Sequence, residues 1–471
     1  MRQIAGSGCD KGQSNARRVV RRGLLAFSFL LFFTAMGYGQ MLVDCTGTNT
    51  SAYKTITAAL NAAPHTGATI LVTGPCTENV GIWSWSNLHL GAAVGGSVTL
   101  TGSLTVDDST SVYLYGLNVT NASGTGISIS SSSGVTLEKC TSNGNASDGM
   151  DVGPMADVSL IGVTSFDSNK RYGLSLSAHA HVCLCNWSSG YTTDVSNNAE
   201  DGVWMTQESV MEGDGPLTVE SNGIGATPKP GAVFGFGIVI YGASSLQLGD
   251  CMGSTTVKDN VSGGVSVQEN SQYSLWACES NYAHTIESNG PVGILVGLGG
   301  EATIETEVQI SGHQGPAVSV GSNSVFYSLG PVIYSQNGSP GVSRGAAIDV
   351  SAGSHAVFSG GQVSATIGPA ILAELGSTVN FSGMTFTGVG GGVIQCDSTS
   401  YMWTDLTGTN QGRSMGCTVP SPAHGQPIQH LQPMLQLQRT MPDRRVIMAR
   451  QAEYRRLASG KVAIGHLQNK P

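Results

Sequence analysis

Three carboxylates, a guanidinium and two aromatic rings recur at matched points of a repeating phrase in the first half of the chain. Asp148, Tyr172 and Asp201 each stand two residues before the first apolar residue of successive copies, and Asp151, Ser175 and Trp204 each stand one residue after it. On stacked strands such positions form columns on the outward face, with Lys170, Arg171 and Glu200 alongside. Carboxylates for acid and base work, rings for stacking against a sugar and a cation for orienting it are what a glycan site requires. Asp148, Asp151 and Asp201 are therefore the candidate catalytic residues, and Tyr172, Trp204 and Arg171 the candidate substrate-binding residues. Coils about 4.8 Å apart put carboxylates two coils away at roughly 10 Å, near the upper range for an inverting glycosidase pair. Asp148-Gly149 and Asp201-Gly202 also have the chemistry of ordinary turns, because Asp caps and favours them. Both readings stand at this point.

A second alternation, His179, His181, Cys183 and Cys185, puts four soft ligands on one face of a strand, with Val182 and Leu184 facing inward. A soft metal accepts such ligands, but exported thiols favour exposed structural roles or a disulfide, so no metal is assigned.

The element that must position these residues is a repeat. A turn ending in Gly is followed by apolar, polar, apolar: Gly-Ile-Ser-Ile at Gly126, Gly-Met-Asp-Val at Gly149, Gly-Leu-Ser-Leu at Gly173 and Gly-Val-Trp-Met at Gly202. The first apolar residues are Ile127, Met150, Leu174, Val203, Ile238, Val265, Ile294, Val318, Ile348, Ile371 and Val393, which gives a base coil of about 22 residues with loop insertions. One such coil cannot bury its apolar face, whereas a stack of them buries a continuous core. The expected fold is all-β: a right-handed parallel β-helix, a solenoid of three long parallel sheets. Its N-terminal end is covered by a short amphipathic capping helix within Ser51 to Pro64, with Ile56, Ala59, Leu60 and Ala63 at helical spacing.

Asn stands four residues before the Gly at Asn145, Asn169, Asn198, Asn260 and Asn289. Stacked at a turn, these side chains can bond from coil to coil as an amide ladder. Cys45 and Cys76 bracket the helix and are expected to pair, as are Cys396 and Cys417 at the other end. Cys251 and Cys278 are 27 residues apart, the same separation as Ile238 and Val265, so they occupy one place on adjacent coils and are expected to form a disulfide. Of the remaining Cys140, Cys183 and Cys185, one is left over in the mature chain.

Charge divides the chain. Residues 1–40 read as a secretory signal peptide, with Arg17, Arg18, Arg21 and Arg22 before the apolar run Leu24 to Phe33, too short for a stable membrane span. Residues 41–419 hold 8 Lys+Arg against 28 Asp+Glu, a balance of −20, while the largely flexible tail 420–471 holds 8 against 2, a balance of +6. An acidic body repels nucleic acid and polyanionic glycans. Neutral sugars fit it, and Ca2+ is the cofactor it leaves open.

The segment Tyr53-Lys54-Thr55-Ile56-Thr57-Ala58-Ala59-Leu60-Asn61-Ala62-Ala63-Pro64, followed by Ile70-Leu71-Val72 and Glu78-Asn79-Val80, resembles the opening of pectin methylesterases and the wider pectin-lyase-like superfamily over about thirty residues. The later repeats resemble generic right-handed β-helix proteins. The esterase motifs Gln-Asp-Thr, Asp-Phe-Ile-Phe-Gly and Gly-Arg-Pro-Trp have no match. Of the polygalacturonase motifs there remain only Asn145-Ala146-Ser147-Asp148-Gly149, Glu200-Asp201 and Gly312-His313-Gln314-Gly315.

Three functions compete. The first is a secreted, periplasmic or cell-surface monomer that binds or processes a polysaccharide or cell-surface glycan. The second is a non-catalytic, adhesin-like structural β-helix, and the third a metal-dependent polysaccharide lyase.

Overall fold

The computed structural model describes residues 40–404 other than 94–95, 186–189, 225–233, 279–281 and 339–344. The expected leader short of Gln40, the basic tail and Cys417 lie outside the described residues.

Val, Ile, Leu and Thr alternate with polar residues in runs of two to seven, too short for helices and well suited to a pleated surface. The runs assemble into three sheets, each taking one strand per coil. Sheet I has 15 described strands, from Gln40–Asp44 to Tyr401–Thr404; sheet II has 13, from Val80–Trp83 to Ile394–Cys396; sheet III has 13, from Cys76–Thr77 to Thr385–Thr387. Every paired strand within the sheets runs parallel to its neighbour. The chain closes each coil by returning to the sheet it left, the crossover that twisted strands make right-handed.

The inward column of sheet II runs Ile127, Met150, Leu174, Val203, Ile238, Val265, Ile294, all fully buried. The column begins earlier than the sequence repeat, at Val80 and Leu104. It also ends one residue later than expected: Ile371 pairs with Ile394, not Val393. The apolar pair Val393–Ile394 after Gly392 fits either register, and it is Ile394 that is buried.

Where sheet III turns into sheet II, the expected amide ladder is present and longer than expected. Asn145, Asn169, Asn198, Asn222, Asn260 and Asn289 are buried, and each of the first five donates its Nδ2 to Oδ1 of the next at 2.8–3.0 Å. The same Oδ1 accepts the preceding Asn backbone N–H, so one carbonyl satisfies two buried donors. His313 takes the next place, its ring nitrogens facing the carbonyls of Asn289 and Ile286, and its own N–H reaches Asn337 Oδ1 at 3.3 Å. The repeat glycine follows from this ladder: a Cβ on Gly149 would meet Asn169 Nδ2 at 2.5 Å and the Gly173 carbonyl at 2.6 Å.

The N-terminal helix is shorter than its sequence window, Ile56–Ala62, with Ile56, Ala59 and Leu60 buried against the strands Gln40–Asp44, Thr69–Thr73 and Val80–Trp83. Thr55 Oγ1 accepts the Ala58 N–H, and the Glu78 carboxylate accepts the N–H groups of Ile56 and Thr57 at 2.6 and 3.0 Å. That places a negative charge at the positive end of the helix. Cys45 is bonded to Cys76, with Cα atoms 5.2 Å apart, and Cys251 to Cys278, with Cα atoms 5.0 Å apart. Cys396 is disulfide-bonded, while Cys417, its expected partner, lies outside the described residues.

Candidate functional site

The outward column of sheet II carries Ser128, Asp151, Ser175, Trp204 and Val239 on consecutive coils. Tyr172 reaches this column from the turn before Leu174–Leu176, and Tyr241 from the end of Phe236–Ile240. The three rings form a diagonal stack. Tyr172 and Trp204 lie 5.2 Å apart and within 4° of parallel, and Trp204 and Tyr241 lie 6.5 Å apart at 23°. The guanidinium of Arg171 lies over the Tyr172 ring at 4.3 Å, and Tyr172 is 5% exposed, packed between its neighbours and not open to solvent as a sugar-stacking ring was expected to be. Tyr241 was missed by the sequence reading because it lies three residues after the first apolar position, outside the columns compared.

Beyond Tyr241 the outer face stays apolar. Phe236, Val239 and Val292 are buried there, with Trp204, Tyr241 and Leu295 packed against them. Phe236 lies over bare backbone at Gly263, where a Cβ would meet its ring at 2.3 Å.

The carboxylates divide differently from expectation. Asp148 and Asp201 are 3% and 0% exposed. Asp148 Oδ1 accepts the Tyr172 N–H at 3.2 Å, and its Oδ2 lies 3.5 Å from Arg171. Asp201 Oδ1 accepts the N–H groups of Gly235 and Phe236 at 2.9 and 2.8 Å. Both side chains thus tie one coil's turn to the next, the turn role that the sequence also allowed. Neither points an oxygen into solvent, so they do not flank an open cleft as an acid and base pair. Burial raises Asp148, with Arg171 opposing the shift. Burial raises Asp201 to about 7, and its Oδ2 is buried without a hydrogen-bond partner among the described residues. Asp151 alone of the three stands half-exposed in the outward column.

The His and Cys alternation is reordered too. His179 sits in a turn with φ +63°, while the strand itself begins at His181. His181 bridges two neighbouring coils: Nδ1 meets Asp157 at 2.7 Å and Nε2 meets Glu212 at 3.3 Å. Burial disfavours its charge, yet the two carboxylates prevail and raise it to about 9, so it is an imidazolium at neutral pH. Cys183 and Cys185 are bonded to each other and Cys140 is a buried free thiol, which identifies the one left over. Two groups of three potential metal ligands occur among the described residues, Cys45, Cys76 and Glu78, and Asp214, Cys251 and Cys278. In both, the sulfurs are already spent on a disulfide.

Neither a family model nor a curated protein matches the chain. Among solved structures it is similar to pectate lyase Pel9A, with 15% identity, 60% of this chain and 80% of that one covered and a TM-score of 0.38. It is also similar to the A-module of Azotobacter vinelandii mannuronan C-5 epimerase AlgE4 (11% identity, 78% and 94% covered, TM-score 0.35) and to the Siphovirus 9NA tailspike receptor binding domain (10%, 81% and 79%, TM-score 0.40). On its own register, this chain is a right-handed parallel β-helix. A β-helix hosts many functions, so the function must be argued from the surface. Among the described residues no helix is long and apolar enough to cross a membrane, and the disulfides are compatible with an oxidising compartment.

Proposed function

We propose that this β-helix binds a neutral polysaccharide or cell-surface glycan, without cleaving it, along the outer face of sheet II. The observation that carries the reading is the Arg171–Tyr172–Trp204–Tyr241 stack, which sets aromatic surface on consecutive coils. Tyr172 is buried, so a sugar meets the half-exposed Trp204 and Tyr241 rings and the exposed Arg171 guanidinium. A linear glycan lying along the coil axis meets Trp204 and Tyr241 on consecutive coils, with Asp151 and Arg171 beside them as hydrogen-bonding groups. The acidic balance of residues 41–419 disfavours polyanionic chains. Binding is preferred to hydrolysis because Asp148 and Asp201 are committed to backbone N–H groups.

A glycan array, read together with reducing-sugar release from the ligands it identifies, tests this. Binding without release supports the proposal. Release of sugar selects an enzyme instead, and neither binding nor release selects the structural β-helix.

A further inference from the structure

We propose that Cys183 and Cys185 form a thiol–disulfide exchange site on the outer face of sheet I that reacts with a low-molecular-weight thiol. The two are bonded across one intervening residue, with Cα atoms 5.2 Å apart. Cys183 is half-buried and Cys185 is 6% exposed, so an incoming thiolate meets Cys183 first.

Three features make this bond an exchangeable one. Closing so short a loop restrains the unfolded chain roughly thirtyfold less than closing the 31-residue separation of Cys45 and Cys76. The bond therefore opens at little cost to the fold. Ser159 pairs in register with Cys183, and its Oγ lies 4.0 Å from Cys185 Sγ, placed to donate to a thiolate formed there. Glu212 also pairs with Cys183, where its charge would repel a thiolate, but it is engaged by the cationic His181.

The attacking thiolate forms a bond to Cys183 Sγ, the Cys183–Cys185 bond breaks, and its electron pair leaves on Cys185 Sγ, which takes a proton from water. A second thiolate attacking the mixed disulfide releases Cys183 as a thiol and leaves the small thiol as its oxidised dimer. This chemistry is separate from glycan binding on sheet II.

The test treats the full chain with reduced glutathione, quenches it with an alkylating reagent at intervals and maps the peptides. Cys183 and Cys185 are expected to be alkylated about tenfold sooner than Cys45 and Cys76, with the β-sheet circular dichroism retained. Oxidised glutathione is expected to leave an adduct on Cys183 in Cys185→Ser, none on Cys185 in Cys183→Ser, and Ser159→Ala is expected to slow the opening. Opening no faster than Cys45–Cys76, an adduct on Cys185, or loss of the β signal on opening would overturn the proposal.

Discussion

Two ladders climb the solenoid beside sheet II, one inside at the turn from sheet III and one on the outer face. The Asn ladder from Asn145 to Asn289 is fully buried, and each amide bonds to the next at nearly constant distance. The aromatic ladder of Tyr172, Trp204 and Tyr241 spans three coils, drifts diagonally across sheet II and loosens from 5.2 to 6.5 Å between centroids. The inner ladder has to be regular because water cannot reach a missed partner there. The outer one tolerates irregularity because solvent replaces what the rings do not supply. Regular stacking marks what holds the fold, and the irregular outer stack is where the proposed glycan site lies.

The largest effect separating the two should come from Asn198→Ala. It strips partners from Asn169 and from the Phe166 carbonyl, all buried, and should cost about 3 kcal/mol in chemical denaturation. A cost near that of an ordinary surface substitution would remove the distinction between the ladders.

Asp201 lies between them and should give the next largest change. Its carboxyl is raised to about 7, so the folded chain holds a proton that the unfolded chain releases near 4. Stability from this group therefore falls as pH rises from about 4 to about 7. Asp201→Asn keeps an acceptor for Gly235 and Phe236 without the charge and should exceed the wild type above pH 7 by on the order of 1 to 3 kcal/mol. Identical pH profiles for the two proteins would contradict this.

A smaller effect is expected on sheet I. His181, raised to about 9, contributes stability that is complete below about 6.5 and lost as pH rises through 9. His181→Gln should flatten the melting temperature between pH 7 and 9. A wild type already flat there would show that the Asp157–His181–Glu212 bridge is not charged as described.

Much of this contrast was legible in the sequence, because a buried column admits few residue types. Gly149, Gly173 and Gly202 mark the ladder since a Cβ there has nowhere to go. Asn222 escaped notice because an insertion separates it from its glycine, Gly237, and His313 because a ring stands where an amide was sought. Val393 was read for Ile394 because two adjacent apolar residues fit either register. The site was less legible. Asp148 and Asp201 are the same residue type whether they bond to a turn or face a sugar, and only the neighbouring coil's N–H groups decide between the two.

The outer ladder's role is tested most directly by titrating a glycan identified on the array against the wild type and Trp204→Ala. Trp204 lies outside the coil interior and packs on the outer Phe236, Val239 and Val292 cluster, so the substitution should weaken binding by about 1 to 3 kcal/mol and lower the melting temperature modestly, with the β-sheet circular dichroism retained. Unchanged affinity in a folded Trp204→Ala protein would contradict the account and leave the aromatic stack as scaffolding alone.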